Sequence, residues 1–243
     1  MLSHPTLERL HALGLHGAAK GFAQLAESPD AQALSHGEWL ALILEEEATL
    51  RLDKRMKERL RYARLRHAAC PEDIDWRASR GLDRTLFAQL VAGGWIDQAE
   101  NLILMGPTGV GKSWLACALG HAACRDGRQV LYRRTSKLFA DLAIGRQDGR
   151  YPRLMRPLVS AKLLILDDFG LDPLGADARH DLLEILEERH GRVSTLVTAQ
   201  LPTDRWHEII GDPTYADAIL DRLVHNAHKI TLSGDSLRRK RSA

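Results

Sequence analysis

Residues 101–113 read Asn-Leu-Ile-Leu-Met-Gly-Pro-Thr-Gly-Val-Gly-Lys-Ser, and this stretch decides the fold. Leu102–Met105 is the short apolar run that a fully buried parallel strand shows. The following residues, 106–113, match the pattern G-x-x-x-x-G-K-[ST] of a phosphate-binding loop without a mismatch. Residues 113–124 then carry apolar side chains at helical spacing, so the stretch predicts the strand, loop and helix that this motif needs.

The residue types of the loop predict a site for a nucleoside triphosphate. Glycines let the backbone wrap closely around a polyphosphate and point its N–H groups inward. Lys112 is expected to reach the β- and γ-phosphates, and the Ser113 hydroxyl is expected to ligate Mg²⁺. A glycine-rich turn that matches by chance is the alternative. The expected nucleotide-binding residues are Gly106, Pro107, Thr108, Gly109, Val110, Gly111, Lys112, Ser113 and Trp114.

A second apolar run, residues 163–166, ends in two acids. Asp167 is expected at the carboxyl end of its strand, where it would hold Mg²⁺ together with Ser113. Asp168 is expected to polarise the attacking water. The alternative is that both are ordinary carboxylates at a strand end.

Further polar residues are candidates for the same reaction. Thr198 and Gln200 end another apolar strand, where they could sense the γ-phosphate or the attacking water, although plain strand-end polarity explains them equally well. Arg222 could reach the γ-phosphate of a neighbouring subunit. Its alternative is an ion pair on the helix surface with Asp221 or Asp217. The predicted catalytic set is Lys112, Asp168, Thr198 and Arg222.

Composition bounds the class of protein. The chain has 243 residues, of which 44% are hydrophobic and 27% charged, as in a globular protein. No apolar run approaches the roughly 20 residues that span a bilayer, so we expect no membrane partner. The N-terminus has no charged-then-apolar signal pattern, so we expect a cytoplasmic protein. Three cysteines give no disulfide framework. Cys117, His121 and Cys124 share a helix face but have no evident fourth ligand, so a zinc site is disfavoured.

Basic residues are clustered although the net charge is only +2. The first cluster lies within residues 51–66. The second comprises Arg146, Arg150, Arg153, Arg156 and Lys162, and the third is the run 238–241. Such clusters suit a polyanion, and solvated helix faces are the competing explanation.

The pattern of elements predicts two domains. Residues 1–70 read as a small all-helical domain, with Gly14 and Gly17 ending a first helix and a capping box of Ser35 and Glu38 starting a longer one. Pro71–Asp75 reads as a linker. Strands and helices alternate through 71–243, which predicts an α/β nucleotide-binding domain with a parallel sheet between helices.

Three stretches together resemble the IstB-type transposition helper ATPases, which are AAA+ proteins related to the DnaC-type helicase loaders. They are 106–113, 163–170 and 211–228, and the last is the most specific to this family. The resemblance implies ATP and Mg²⁺ as cofactors, self-assembly on double-stranded DNA, and a partner transposase of the same insertion sequence. It implies that Arg222 is an arginine finger and that Arg238 senses nucleotide. It also implies that the helical lid of many AAA+ proteins has no room here.

Two further readings stay open beside that of a transposition helper. A replicative helicase loader would share the core, and an ATP-switched DNA-binding module would scarcely hydrolyse ATP. Many AAA+ enzymes have Glu where this chain has Asp168, and the shorter side chain predicts slow hydrolysis.

Overall fold

The structure, a computed structural model, describes residues 4–78 and 80–237. The chain divides into two compact units, Met1–Glu58 and Arg59–Ala243. Within the described ranges, no helix is long and apolar enough to cross a membrane.

The first unit is helical, as predicted. Its helices are α1 (Pro5–Ala12), α2 (His16–Glu27) and the first part of α3 (His36–Ala63), with a 3-10 turn at Pro29–Ala33 before α3. The predicted capping box is confirmed: the Ser35 N–H donates to Glu38 Oε2 at 2.7 Å, and the Glu38 N–H donates to Ser35 Oγ at 3.3 Å. These two bonds satisfy backbone donors that the start of a helix leaves open.

The prediction that Gly17 ends the first helix is wrong. Gly14, at φ +71°, follows α1, whereas Gly17 lies inside α2. A Cβ on Gly17 would lie 2.6 Å from the carbonyl oxygen of Glu46, so the missing side chain lets α2 approach α3 closely. The glycine serves helix packing here, and not helix termination.

The second unit contains a five-stranded sheet in the order β2-β3-β4-β1-β5, and every pairing is parallel. The strands are β1 (Asn101–Met105), β2 (Val130–Arg134), β3 (Leu163–Phe169), β4 (Ser194–Ala199) and β5 (Ala227–Thr231). The predicted parallel sheet is therefore confirmed. Because the strands are parallel, their carboxyl ends meet at one edge, where ligands bind in open α/β sheets.

Helices cover both faces of this sheet. They are α4 (Arg84–Ala92), α5 (Gly94–Asp97), α6 (Lys112–Arg125), α7 (Thr135–Gln147), α8 (Tyr151–Ser160), α9 (Ala176–Arg189), α10 (Trp206–Ile210) and α11 (Pro213–Val224). Leu102 and Leu104 of β1 pack with α4, α5 and α6, whereas Ile103 and Met105 pack with α7 to α11. The alternation follows from the two-residue period of a strand. The predicted α/β fold with helices on both faces is confirmed.

The segment after residue 58 belongs to the core of the second unit. Ala63 and Ala69 are buried there, and Arg59 Nε donates to the Cys124 carbonyl at 2.8 Å. Pro71–Asp73 forms a 3-10 turn. The compact unit thus begins earlier than the sequence suggested, while a functional boundary after residue 70 stays a prediction.

The chain after β5 returns to the phosphate-binding loop. The Leu232 N–H donates to the Met105 carbonyl at 2.7 Å, and the Leu237 N–H donates to the Gly109 carbonyl at 3.0 Å. As far as residue 237, where the description stops, no helix follows β5. Arg238 and the basic run 238–241 lie outside the described residues.

Candidate nucleotide-binding site

The glycine loop joins β1 to α6 at the carboxyl edge of the sheet. Gly106, Gly109 and Gly111 have φ angles of 142°, 91° and 97°, a range that side chains other than glycine disfavour. A Cβ on Gly106 would lie 2.2 Å from the Leu232 carbonyl oxygen. The loop therefore requires glycine both for its backbone conformation and for the close approach of the chain after β5.

Lys112 begins α6 and is only 7% exposed. Its Nζ donates to the carbonyl oxygens of Gly106 at 2.6 Å and Pro107 at 2.8 Å. The ammonium group therefore lies against the loop itself. It donates to these carbonyls the hydrogen bonds that a bound phosphate could also accept.

Asp167 is fully buried, and both oxygens of its carboxylate accept a hydrogen bond from a hydroxyl. Tyr132 donates to Oδ2 at 2.5 Å, and Thr198 donates to Oδ1 at 2.6 Å. Burial, followed by this bond to the carboxylate, raises the pKa of Tyr132, so the phenol stays protonated and remains a donor. The carboxylate is thus held in one orientation from two sides.

Asp168 lies within an irregularity in the pairing of β3 with β4 and has a φ of 59°. Aspartate tolerates this left-handed conformation better than most residues, and here the Asp168 N–H donates to Thr198 Oγ1 at 3.0 Å. Asp168 lines a cavity, whereas Asp167 does not.

Two arginines that the sequence analysis did not single out for the site lie against these acids. Arg66 Nη1 lies 3.6 Å from Asp167 Oδ2 and 3.5 Å from Asp168 Oδ2. Arg134 Nε lies 3.1 Å from Asp168 Oδ2. The negative charge of the acid pair is therefore balanced by protein cations.

The cavity has a volume of about 660 Å³, within the range of about 300–1,000 Å³ that small-molecule sites occupy. One part of its lining consists of predicted residues, namely Thr108, Gly109, Gly111, Lys112, Ser113, Trp114, Asp168 and Gln200. The other part is formed by His67, Ala68, Asp73, Asp75, Arg80 and Leu237. The sequence analysis missed this second part, because no motif marks it.

Six predicted site residues do not line the cavity, namely Asp167, described above, Arg222, described below, and Gly106, Pro107, Val110 and Thr198. Val110 is 1% exposed and belongs to the hydrophobic core, and Gly106 and Pro107 contribute carbonyls to Lys112. Thr198 is buried behind Asp167, so its hydroxyl orients the carboxylate instead of facing the cavity. Gln200, the other candidate on this strand end, does line it.

Arg222 lies at the opposite edge of the sheet. Asn101, the first residue of β1, donates its side-chain amide to the Arg222 carbonyl at 3.1 Å. Since β1 rises about 3.3 Å per residue, its two ends are about 13 Å apart. The Arg222 guanidinium pairs with Glu187 at 2.9 Å, and not with Asp221 or Asp217 as the sequence alternative had it. Arg222 thus cannot serve the cavity of its own chain.

The first two basic clusters differ in how many of their side chains form ion pairs. Arg146 contacts Asp181 and stacks on Tyr151, and Arg150 pairs with Asp148 at 2.5 Å. Within the first cluster, five exposed side chains make no ion pair to any described residue, and the partly buried Arg59 makes none either but donates to the Cys124 carbonyl. The five are Lys54, Arg55, Lys57, Arg61 and Arg64, all exposed along the second half of α3 and just beyond it.

The cysteines on α6 are core residues. Cys117 and Cys124 are buried, and burial raises the pKa of the Cys124 thiol to about 11. His121 instead contacts Cys70, at 3.8 Å between Nε2 and Sγ. Among the described residues, the three groups that could share a metal ion are His180, Asp181 and Glu184, and Asp181 is engaged by Arg146 and Tyr151.

Curated proteins of insertion sequences are similar to this chain over nearly its whole length. Two proteins of Sinorhizobium fredii, each named as a candidate insertion-sequence ATP-binding protein, are 63% and 57% identical to it. The first similarity spans 239 residues and covers 98% of both chains. A Pseudomonas aeruginosa protein named for the insertion sequence IS21 is 34% identical over 216 residues, which is 89% of this chain and 82% of the relative.

Solved structures share the fold at low sequence identity. The crystal structure of DnaI gives a TM-score of 0.58 at 21% identity, over 73% of this chain and 94% of DnaI. The AMPPCP-bound DnaA of Aquifex aeolicus gives a TM-score of 0.58 at 16% identity, over 73% of this chain and 54% of DnaA. Both share the fold of this chain. Residues 8–243 match the family described as IstB-like ATP binding protein, and this chain belongs to that family.

Proposed function

We propose that this protein is a magnesium-dependent ATPase of an insertion sequence, which assembles on double-stranded DNA in its ATP state and recruits or activates a transposase. One observation carries the enzymatic part of the proposal. The glycine loop and Asp168, from β1 and β3, line one cavity of about 660 Å³ at the edge where parallel strands end. Family membership supports ATP as the nucleotide.

The residues present fit a Mg²⁺ ion. Mg²⁺ prefers oxygen ligands, and Ser113 and Asp167 would provide a hydroxyl and a carboxylate. The Arg66 guanidinium, 3.6 Å from Asp167, shows that a cation is already accommodated beside this carboxylate. When bound, Mg²⁺ would neutralise charge that develops on the phosphate oxygens.

Hydrolysis would use Lys112 and Asp168 in separate roles. Lys112 would leave the loop carbonyls and donate to the β- and γ-phosphates. Asp168 would accept a proton from a water molecule while the water oxygen bonds to the γ-phosphorus. The bond between that phosphorus and the oxygen shared with the β-phosphate breaks, which releases ADP and phosphate.

Slow turnover is part of the proposal. Asp168 is one methylene shorter than the glutamate of many AAA+ enzymes, and its carboxylate contacts Arg134 and Arg66. The carboxylate must leave these guanidinium groups before it can accept a proton. A long-lived ATP state would suit a protein that has to remain assembled on DNA until its partner arrives.

Assembly into a homo-oligomer would explain the position of Arg222. In a head-to-tail arrangement, the edge that carries Arg222 in one subunit would meet the cavity of the next. The ion pair with Glu187 would then open, and Arg222 would reach the neighbour's γ-phosphate. An arginine supplied in this way raises turnover by roughly 10³–10⁵-fold in other phosphate-transferring enzymes.

The exposed basic side chains of α3 are the best supported DNA contact. Lys54, Arg55 and Lys57 make no ion pair to a described residue, whereas Arg146 and Arg150 do. Neutralising the three residues of α3 should weaken DNA binding and reduce its salt dependence. Neutralising Arg153 and Arg156 tests the competing surface on α8.

Turnover assays with and without duplex DNA test the enzymatic proposal. Lys112→Ala should abolish ATP binding and ATP-dependent assembly, and the exposed Lys137→Ala is the matched control. Asp168→Asn should retain assembly but lose turnover. Normal hydrolysis by Asp168→Asn would refute its role as the base. Absence of turnover in the native chain with DNA present would favour the ATP-switched DNA-binding module.

The identity of the partner separates the two remaining readings. Insertion-sequence relatives at high identity favour a transposase over a replicative helicase. A pull-down with the full chain, ATP and duplex DNA should retain the transposase of the same insertion sequence. Retention of a replicative helicase instead would support a helicase loader.

A further inference from the structure

Arg80 is a buried cation beside the phosphate-binding loop. It is 6% exposed and lies in the segment between the 3-10 turn at Pro71–Asp73 and α4. Its Nη1 atom lies 2.9 Å from the position that a Cβ would occupy on Gly111, at the start of α6. The backbone is anchored as well, because the Ser233 N–H donates to the Arg80 carbonyl at 3.0 Å. Arg80 also lines the cavity described above.

The guanidinium of Arg80 has few partners in the described part of the chain. A guanidinium carries five N–H donors. Here one hydrogen bond is formed, from Nη2 to the Asp75 carbonyl at 3.1 Å, and no described carboxylate lies within ion-pair distance. Burial lowers the pKa of Arg80, opposed by the charge of Asp75. A largely buried charge without a directly paired counter-ion is unfavourable.

Arg189 shows what a structural buried arginine in this fold looks like. It is 1% exposed, and its Nε donates to Thr195 Oγ1 at 3.0 Å. Its terminal nitrogens donate to the carbonyl oxygens of Leu158, Val159, Ala161 and Ser194. The protein thus provides hydrogen-bond acceptors for a buried guanidinium whose only role is to support the fold. Arg80 differs because its remaining donors are left to the cavity.

We propose that Arg80 binds the phosphate chain of the nucleotide, as a second protein cation beside Lys112. This inference rests on the proposed nucleotide site and adds a residue that no loop motif contains. The helix start and the loop glycines place backbone N–H groups around the same position, so an anion there would gain a charge-assisted bond from Arg80. The anion would in turn accept hydrogen bonds from the Arg80 guanidinium, which no described carboxylate does; Asp73, Asp75 and Asp168 line the same cavity without pairing with it.

Binding of ADP, pyrophosphate and adenosine to the full chain tests this inference. Arg80→Met should weaken the binding of ADP and of pyrophosphate about 10- to 100-fold, the range expected for loss of a hydrogen-bonded charge. Adenosine, measured as a competitor, should bind unchanged because it has no phosphate. The nearby Arg77→Met is the matched control, since Arg77 is exposed and does not line the cavity.

A purely structural role predicts a different pattern. If Arg80 only holds its segment through the Asp75 carbonyl, Arg80→Met should weaken the binding of ADP and of adenosine by the same factor. That result would overturn the inference. So would an ADP affinity within twofold of the native value. Should Arg80→Met fail to fold, Arg80→Lys keeps the charge but loses the planar fork. It should still bind ADP several-fold more weakly than native, with adenosine unchanged.

Failure of this inference is distinguishable from failure of the nucleotide site. If the native chain binds neither ATP nor ADP, the proposed function is wrong. If the native chain binds both and Arg80→Met binds them equally well, only the role of Arg80 is refuted.

Discussion

The hydrogen bond from Tyr132 to Asp167 supports both the fold and the proposed metal site, and Tyr132→Phe removes only the hydroxyl. The two oxygens are 2.5 Å apart, Asp167 is 0% exposed and Tyr132 is 7% exposed, so water cannot replace the lost donor. A hydrogen bond to a charged group contributes about 1.5–3 kcal/mol. We therefore expect the free energy of unfolding to fall by about 2 kcal/mol. For a unit of this size, that lowers the melting temperature by about 4–8 °C.

The same substitution should weaken Mg²⁺ binding. Thr198 still holds Oδ1 of Asp167 in the variant, but Oδ2 is left to Arg66 alone. Loss of a group that orients a metal ligand typically costs about 10- to 100-fold in metal affinity. Urea unfolding measures the stability, and Mg²⁺ titration of ATP binding measures the metal affinity. Tyr62→Phe, at a tyrosine that is 38% exposed, is the matched control.

A double-mutant cycle with Asp167→Asn isolates the interaction between the two side chains. Contacting residues in one hydrogen-bond network couple by about 0.5–3 kcal/mol, whereas independent sites are additive. Additive effects of Tyr132→Phe and Asp167→Asn on unfolding would refute the reasoning. So would a Tyr132→Phe variant with the stability and Mg²⁺ affinity of the Tyr62→Phe control.

Three further predictions concern titration and the acid pair. Because the pKa of Tyr132 is raised in the folded state, its stabilising contribution is present below the ordinary tyrosine pKa of about 10 and is lost as the pH rises beyond it. The free energy of unfolding of Tyr132→Phe should therefore fall less steeply with alkaline pH than that of the native protein, and an equal slope in both would contradict this. Glu47 accepts the N–H groups of Gly17 and Ala18 at 2.7 and 3.0 Å, and the first of the causes that lower its pKa is the Ala18 bond. Glu47→Gln should therefore lower the melting temperature at neutral pH, with the difference shrinking below pH about 4, and a difference that is constant with pH would refute the assignment. Arg66→Met should lower the Mg²⁺ concentration needed for half-maximal ATP binding, because a competing cation is removed from Asp167. A higher Mg²⁺ concentration for half-maximal binding, or an equal decrease in Arg64→Met, would contradict this.

The capping box and the phosphate-binding loop show what local sequence can predict. Ser35 and Glu38 are three residues apart, and they meet in any chain that forms a helix there. The apolar run 102–105 was predicted as a strand, and β1 spans Asn101–Met105. Each of these features is fixed by residues that are close in the chain, so their spacing is sufficient.

Gly17 and Thr198 show that neighbours remote in sequence decide what surrounds a residue. A glycine after a helical segment predicts an end, but Gly17 lies inside α2 because a remote helix needs the space of its missing side chain. Thr198 is a candidate sensor of the γ-phosphate or the attacking water, with plain strand-end polarity as the equal alternative. Its hydroxyl donates to Asp167, which is 31 positions away in sequence, and the sensing role stays a prediction. In both cases the deciding neighbour comes from another element.

By itself, the sequence of this protein determined the strand, loop and helix that form the phosphate site, because contiguous residues fix their own backbone. It also determined the parallel α/β class, through the alternation of apolar strands with helices. Only the tertiary structure decided which side chains surround the acids and the loop. The strand order β2-β3-β4-β1-β5 places Tyr132 beside Asp167, and the chain before α4 brings Arg80 to Gly111. Such contacts join positions with no periodic relation in sequence, so they arise when the sheet and its helices pack together.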